Sequence, residues 1–343
     1  MLEVVFRPTE PCVFQGPGEF SPRALIADNI RAAYSWPRLP TLLGALCTSL
    51  YFSDPKYKSR VSTSRSWEEN VDSILQDFFG KNYKILGMYV RYNNRIYLPV
   101  CEQYLVELEF LRRLFARVSW NDFVAAAVDP KNKKKDWFEV LLSAAGEDPE
   151  KEVLRRDSLR KLGIQLVPLL KQVEEQHLYY IEYVYYKTKN NENVAPWELE
   201  YVLLVEGEQT SSFKAMQRLG AEGRYALLAV CKASNPLGSI VKGKEDVLDR
   251  LGFNSFLQLK DAEEKVWITL TPVVLHENVL SFVLYEEFAQ AVIAQVLERL
   301  GVEGNAVKLL GKVDCLGGYD ILRNIKKPLL PVFQEGSIVW ITQ

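Results

Sequence analysis

The two histidines are the first candidates for acid–base chemistry, because imidazole is the side chain that titrates near neutral pH. His177 precedes a segment rich in aromatic residues, and His276 lies at a predicted turn. Neither belongs to a metal-binding motif such as His-Glu-x-x-His. An enzyme that cleaves RNA would need one of them as general acid or base. Most lone histidines are structural or solvated, and the sequence favours that interpretation for both.

Residues 238–244 fit the spacing Gly-x-x-x-x-Gly-Lys of a phosphate-binding loop. In such a loop the next residue is Ser or Thr, whose hydroxyl holds Mg²⁺, and here it is Glu245. A carboxylate at this position repels a triphosphate. A nucleotide-binding protein is therefore an alternative that the sequence disfavours.

Two glycine-containing segments are candidates for contact with a sugar-phosphate backbone. Arg218 and Arg224 flank Gly220 and Gly223. Arginine forks suit phosphate oxygens, and glycines let backbone amides approach the same group, although a turn with salt bridges explains these residues equally well. Residues 317–320 read Gly-Gly-Tyr-Asp and offer one carboxylate, where a two-metal polymerase turn needs two. Contact with a nucleic-acid backbone or a plain tight turn are the two interpretations that remain for this segment.

The composition limits the class of protein. The 343 residues are 48% apolar and 25% charged, which suits two globular domains of modest size. A net charge of -2 argues against a protein that coats nucleic acid, although basic clusters lie at 131–135, 155–161 and 323–327. The five cysteines form no Cys-x-x-Cys pair, so we expect no zinc site and no other metal or cofactor. Without an apparent signal peptide or a long apolar run, we expect no membrane partner and a cytoplasmic location.

The elements that must position these residues alternate between strands and helices. The patterns predict a hairpin over 85–98 that turns at Asn93-Asn94, and further elements on both sides of it. The other predicted strands include 2–7, 178–186, 199–205 and 225–230, and the predicted helices include 42–51, 104–117, 151–162 and 286–300. The polar, Asn-rich stretch 187–196 predicts a boundary between an N-terminal domain, 1–190, and a C-terminal domain with a glycine-rich loop, 191–343. This order predicts an α+β fold of two ferredoxin-like (RRM-like, split βαβ) domains with inserted helices and loops.

A series of short motifs runs through the chain in a fixed order. They comprise 10–14, 18–20, 39–46 (Leu-Pro-Thr-Leu-Leu-Gly-Ala-Leu), 86–99, 163–164, 174–180, 219–224, 317–320, 327–329 and 335–339. In this order and spacing they resemble the third-subunit family of the CRISPR type III-B Cmr effector complex, in the RAMP superfamily. Cys47 stands where that family has arginine, and Ala221 alters its Gly-Gly-Glu-x-Arg loop. Segments 51–83 and 120–161 match no motif of the family.

The resemblance implies a non-catalytic subunit with two ferredoxin-like domains. It also implies binding to the 5′ handle of the CRISPR RNA (crRNA), and docking against the large polymerase-like subunit and the backbone subunit. On this basis the expected RNA-binding residues are Thr41, Gly44, Arg218, Gly220, Gly223, Arg224, Gly317, Gly318, Tyr319, Arg323, Lys326 and Lys327.

Two further interpretations remain open. A RAMP-fold endoribonuclease that processes precursor crRNA would need His177 or His276 in the RNA-binding groove. A purely structural bridge between protein subunits would contact RNA only incidentally.

Overall fold

The structure is a computed structural model. It describes residues 1–14, 34–166, 173–208, 213–220, 224–242, 246–276, 278–279, 285–302, 306–317, 319–320, 325–326 and 330–342, without the side chains of 160–181, 242, 285, 319–320 and 325–326. The helices are α1 (Leu39–Ser53), α2 (Pro55–Lys58), α3 (Trp67–Phe79), α4 (Leu108–Arg117), α5 (Trp120–Val128), α6 (Trp137–Ala145), α7 (Val247–Arg250) and α8 (Tyr285–Leu300). None of the helices in these ranges is long and apolar enough to cross a membrane.

The strands form two larger and two smaller sheets. They are β1 (Leu2–Pro8), β2 (Lys84–Tyr92), β3 (Arg95–Val100), β4 (Tyr104–Glu107), β5 (Val153–Leu166), β6 (Val173–Lys187), β7 (Asn193–Val194), β8 (Leu199–Glu206), β9 (Phe213–Arg218), β10 (Tyr225–Lys232), β11 (Ile240–Lys242), β12 (Ser255–Asp261), β13 (Lys265–Thr269), β14 (Val273–Val274), β15 (Ala306–Leu310), β16 (Val313–Leu316), β17 (Tyr319–Asp320), β18 (Ile325–Lys326), β19 (Leu330–Phe333) and β20 (Ile338–Thr342). The sheet orders are β7-β6-β5-β4-β3-β2-β8-β1-β10-β9, β11-β12-β13-β20-β15, β14-β19-β16 and β17-β18.

The large sheet contains the strand order of a ferredoxin-like unit. β1 pairs antiparallel with both β8 and β10, and β2 pairs antiparallel with β8. The resulting order β2-β8-β1-β10, with α1 and α3 between β1 and β2, is that of a βαββαβ unit. Within the described residues, β9 occupies the place in the chain where the second helix of such a unit would come, and β3–β7 extend the sheet beyond β2.

The five-stranded sheet repeats this neighbour order. Its strands β12-β13-β20-β15 follow the same order, but the last strand of the chain, β20, takes the place of the first strand of the unit. Helix α8 lies between β13 and β15 along the chain, as the second helix of the unit does. The prediction of an α+β protein with ferredoxin-like units is therefore confirmed.

Three hydrophobic clusters hold the layers together. The first lies between one face of the large sheet and the helices α1 and α3, where Val4 and Phe6 are buried. The second joins the opposite face to the five-stranded sheet and to α4, and it contains Val5 of β1 and Trp340 of β20. The third lies between the five-stranded sheet and α8. Because residues alternate between the faces of a strand, β1 supplies side chains to two of these cores.

The predicted boundary lies within the chain that forms the large sheet. β8, β9 and β10 follow residue 190, yet β8 and β10 pair with β1 from the predicted N-terminal domain. The change from one larger sheet to the other comes after β10, which ends at Lys232. The boundary between 1–190 and 191–343 therefore does not coincide with a change of sheet, and the division into domains there stays a prediction.

Two predicted helices differ from the structure. The segment 151–162 was predicted to be helical but forms part of β5, which pairs antiparallel with β6 along most of its length. The predicted helix 104–117 divides into β4 and α4. Local helix propensity is a weak preference that strand pairing overrides in both places. The hairpin at Asn93-Asn94 is confirmed, since both asparagines have positive φ, of 49° and 59°.

A buried polar cluster joins the beginning of α1 to the C-terminal part of the chain. Nη1 of Arg38 lies 2.5 Å from Oε1 of Glu335, and both side chains are almost fully buried. The indole N–H of Trp36 donates to the same carboxylate, with 2.6 Å between Nε1 and Oε1. Asp314 and Glu102 lie 3.5 and 3.7 Å from the Arg38 guanidinium. Burial opposes the charge of Arg38, but the attraction of Glu335 and its neighbours outweighs it and raises the pKa of Arg38.

Replacing Arg38 tests how much this cluster stabilises the fold. Arg38→Ala is expected to lower the free energy of unfolding by roughly 3–5 kcal/mol, because the Glu335 carboxylate is left buried without its partner. The control Arg95→Ala removes a half-exposed arginine that pairs with Glu107 at 3.2 Å, and it should cost less than about 1 kcal/mol. Urea-induced unfolding followed by circular dichroism measures both. Equal losses in the two variants would contradict the importance assigned to Arg38.

Candidate nucleic-acid interface

One part of the large sheet exposes its face. We use the name open face for Lys214, Met216 and Arg218 of β9 with Tyr225 and Leu227 of β10, and all five are exposed. The exposed fractions of Met216, Tyr225 and Leu227 are 56%, 41% and 46%, high for large apolar side chains. The guanidinium of Arg218 lies over the Tyr225 ring, 5.9 Å from its centroid. An exposed aromatic ring beside an arginine on a sheet is the arrangement on which single-stranded nucleic acids stack their bases.

The cations of the open face differ from the neighbouring Arg7 in whether they form an ion pair. Arg7 of β1 is the register partner of Leu227 and forms an ion pair with Glu200. Lys214 and Arg218 form no ion pair with any residue in the described ranges. Among the described residues no carboxylate compensates these two charges, whereas that of Arg7 is compensated by Glu200.

Gly220 accommodates the chain's own N-terminal segment. Its φ is +78°, and a Cβ added to it would lie 2.5 Å from the carbonyl oxygen of Val13. The ring of Phe14 approaches the same point. Two hydrogen bonds from Thr9, through its N–H and its hydroxyl, hold this segment to the carbonyl oxygen of Tyr225, each at 3.0 Å. The space beside Gly220 is thus filled by protein, and its contact with RNA stays a prediction.

Arg224 is bound within the protein. It forms an ion pair with Glu10, and one of its amino groups donates to the hydroxyl of Tyr183 at 2.9 Å. The hydrogen bond to Tyr183 and the carboxylate of Glu10 raise the pKa of Arg224. A phosphate would have to compete with Glu10 for this guanidinium. Of the two arginines predicted around the glycines, Arg218 is therefore the more accessible to RNA.

Thr41 and Gly44 lie on the partly exposed side of α1. A Cβ added to Gly44 would meet no atom within 4 Å, so this side of the helix is open at that point. Cys47, at the position where the family has arginine, is buried in the first hydrophobic cluster. Burial raises the pKa of its thiol well above the ordinary value.

For most of the remaining predicted residues the structure describes the backbone alone or does not describe the residue. Gly317 follows β16 and is half-buried. Asp314 of β16 lies near Arg38, so the structure brings the segment of Gly317 close to the beginning of α1. Tyr319 and Lys326 are register partners in β17 and β18, and their side chains are not described. Outside the described residues lie Gly223, Gly318, Arg323 and Lys327.

The predicted residues form two separate groups. Phe213 of β9 packs on the first cluster, on the same side of the sheet as α1. Burial alternates along β9, so Arg218 points to the opposite face. Thr41 and Gly44 therefore lie on one side of the sheet and Arg218 on the other. Sequence reasoning missed Tyr225, which adjoins Arg224 at the start of a predicted strand. The signal that could have found it is an aromatic residue next to an arginine-glycine segment.

The alternative based on nucleotide binding has less support in the described geometry. Residues 240–242 form β11, which pairs with β12, so the middle of the Gly-x-x-x-x-Gly-Lys motif is a strand. A phosphate-binding loop needs that stretch as a loop that leads into a helix. The backbone N–H of His276 donates to Gln295 at 2.7 Å, and the side chain of His177 lies outside the description. No group of three or more metal-ligating side chains occurs among the residues that the structure describes.

The fold matches chains in two solved structures of the type III-B Cmr-beta complex. One complex is bound to cognate target RNA, and its matching chain has a TM-score of 0.58 and 19% sequence identity, with coverage of 98% of this chain and 86% of that chain. The other is bound to cognate target RNA and AMPPnP, and its chain matches with a TM-score of 0.58, 18% identity and the same coverage. At such low identity the likeness shows that the fold is shared.

The sequence identifies the family. A protein of Saccharolobus solfataricus described as the CRISPR system CMR subunit Cmr3 is 23% identical over 346 residues, which cover 99% of this chain and 86% of that protein. Residues 132–343 match the profile of the CRISPR-associated protein family Cas_Cmr3. The chain therefore belongs to the Cas_Cmr3 family, which confirms the resemblance found in the sequence motifs.

A substitution at Gly220 tests its contact with the N-terminal segment. Gly220→Ala is expected to lower the thermal unfolding midpoint further than Gly146→Ala. Both glycines have positive φ, +78° and +65°, but a Cβ at Gly146 meets nothing within 4 Å. The left-handed conformation alone costs an L-residue roughly 1–2 kcal/mol, so Gly146→Ala measures that cost without the clash. Equal shifts, measured by differential scanning calorimetry, would show that Val13 can move away at no cost.

Proposed function

We propose that this chain is a non-catalytic subunit of a type III CRISPR RNA-guided effector complex. It binds the 5′ handle of the crRNA and docks against the large polymerase-like subunit and the backbone subunit. Membership of the Cas_Cmr3 family is the observation that carries the proposal. The structures with a similar chain are of complexes bound to cognate target RNA, which supports a role next to RNA.

The open face provides the chemistry for contact with the handle. The Tyr225 ring is free to stack on an unpaired base, and Arg218 beside it can donate to a phosphate or stack on the same base. Met216 and Leu227, which are register partners of each other, extend the apolar platform along the strands to one side of Tyr225 and Arg218. With a net charge of -2, the protein gains little from bulk attraction to RNA. Recognition then depends on shape and on base edges at a few places.

The second group of predicted residues forms a separate proposed contact. Thr41 and Gly44 lie in the first turns of α1. Arg38, directly before this helix, lies near Asp314, which belongs to the strand that precedes Gly317. In this proposal Gly317 and Gly318, like Gly220 and Gly223, lie along the RNA backbone. The other members of this second group are Gly318, Tyr319, Arg323, Lys326 and Lys327. Gly220, Gly223 and Arg224 lie in the chain between Arg218 and Tyr225 of the open face, and their contact with RNA is part of the same proposal.

The proposal predicts the effect of changing the open face on handle recognition. The purified chain and its large-subunit partner should bind a labelled guide RNA with an intact 5′ handle better than one with a scrambled handle. Arg218→Ala combined with Tyr225→Ala should weaken binding of the intact handle by roughly tenfold or more, because a stacked base contributes about 1–3 kcal/mol. Tyr225→Phe keeps the ring and should retain the affinity. Fluorescence anisotropy measures all variants.

The control variant is Arg95→Ala, which removes an exposed arginine of β3 outside the open face. It should leave handle preference unchanged. Equal binding of both RNAs by the unaltered protein would favour a structural bridge between subunits. Cleavage of either RNA, abolished by His177→Ala or His276→Ala, would favour the RAMP-fold endoribonuclease.

A further inference from the structure

A cavity of about 470 Å³ lies at the base of the β5–β6 hairpin, near the end of the large sheet opposite to β9. Its walls come from β4, from the first residues of β5, from the loop after α6 and from the turn between β6 and β7. A volume of this size is typical of sites for small ligands. The cavity lies on the large sheet, but it shares no residue with the open face or with the other predicted RNA-binding residues.

The lining carries an excess of positive charge. Arg155, Arg156, Lys187 and Lys189 face only two lining carboxylates, Asp148 and Asp157. Each carboxylate is already held by a lysine, with 2.6 Å between Nζ of Lys187 and Oδ2 of Asp157, and 2.5 Å between Nζ of Lys189 and Oδ2 of Asp148. In a chain with a net charge of -2, such a local excess favours an anionic ligand.

Arg155 is the cation that the site leaves uncompensated. Arg156 lies 3.6 Å from Glu182 of β6, so its charge is shared with that carboxylate. Arg155 is exposed and forms no ion pair with a residue in the described part of the chain. It is the register partner of Tyr104 on β4, and this pairing fixes its backbone at the cavity wall. From this backbone position the guanidinium can donate two hydrogen bonds to one phosphate.

Thr188 supplies a second donor at the same cavity. Its hydroxyl oxygen is buried and has no hydrogen-bond partner among the described residues. The backbone groups of Thr188 are both bonded, since its N–H donates to Glu192 and its carbonyl oxygen accepts from Asn191, each at 3.0 Å. A buried hydroxyl without a partner is costly and calls for a ligand or an ordered water. Arg155 and Thr188 therefore both line this cavity, Arg155 with an exposed side chain and Thr188 with a hydroxyl buried in the wall.

We infer that this cavity binds the phosphate group of a nucleotide, with Arg155 and the hydroxyl of Thr188 as donors. The phosphate comes either from a free mononucleotide or from the backbone of an RNA chain, because both present the same oxygens. The lysines that hold Asp148 and Asp157 prevent these carboxylates from repelling the ligand at full charge. The site does not require recognition of the 5′ handle, so it can be present whether or not the proposed function is correct.

Three probes separate the two sources of phosphate. The full chain is titrated by calorimetry with 5′-AMP and with inorganic phosphate, and by fluorescence anisotropy with a labelled oligouridine that has no handle sequence. Arg155→Ala should weaken binding of whichever of these probes binds by roughly tenfold or more, because it removes a charged hydrogen-bond donor to the phosphate. Thr188→Val keeps the shape of the side chain, removes the hydroxyl and should weaken binding by a smaller factor. Arg95→Ala is the matched control.

Each outcome has a definite meaning. Loss of AMP and phosphate binding in Arg155→Ala assigns the site to a free nucleotide. Loss of oligouridine binding, with no binding of AMP, assigns it to the RNA backbone. If no probe binds, or if Arg155→Ala and Thr188→Val leave every affinity as in Arg95→Ala, the inference is wrong. Handle preference is measured separately with Arg218 and Tyr225 variants, so the failure of one proposal does not imply the failure of the other.

Discussion

The guanidinium of Arg38 and the carboxylate of Glu335 lie in contact in the protein interior, and the arrangement of the layers depends on this pair. Removing two charges from water costs several kcal/mol, which their attraction offsets only with good geometry and further polar contacts. Here Trp36 donates to the carboxylate, and the Tyr34 ring lies 3.9 Å from the guanidinium. Without Arg38, the buried Glu335 carboxylate would keep the Trp36 indole N–H as a partner but lose the positive charge opposite it. Segments from opposite ends of the sequence must therefore meet for this carboxylate to be buried at low cost.

The packing of the two larger sheets against each other determines which surfaces remain exposed to ligands. Arg38 comes directly before α1 and Glu335 shortly before β20, so the pair joins the start of this helix to the segment that leads into the five-stranded sheet. Gly336 has a φ of +76°, and a Cβ there would collide with the carbonyl oxygen of Pro99, so the approach needs glycine. The five-stranded sheet covers one face of β1, β2 and β8 through the second cluster. The hairpin of β9 and β10 extends beyond this cover, which is why its apolar side chains are exposed.

Local signals predicted the elements that local interactions stabilise. The turn at Asn93-Asn94 and the helix ending at Leu300 depend on neighbouring residues, and both were predicted with nearly correct bounds. β5 was predicted to be partly helical because its stability comes from pairing with β6, which no local pattern displays. The motif at the start of α1 (39–46) and the motif after β19 (335–339) were recognised separately. The contact between Arg38 and Glu335 brings these segments together, and no local pattern shows it because they lie at opposite ends of the sequence. Of the candidate site, Arg218 is exposed, and its role in ligand binding stays a prediction.

The arginines show most clearly why sequence alone could not choose the site. Arg7, Arg38, Arg91, Arg224 and Arg250 each lie against a carboxylate of the protein. Their partners are far away in the sequence, so a cluster of basic residues and a set of internal ion pairs look the same before folding. Once folded, these charges are largely compensated, and RNA gains little from them. Within the described part of the chain, Arg155, Lys214 and Arg218 are exposed and form no such ion pair, which is why both proposals place a phosphate at these residues. An acidic protein can thus contact RNA through a few uncompensated cations, provided that the fold keeps its carboxylates occupied elsewhere.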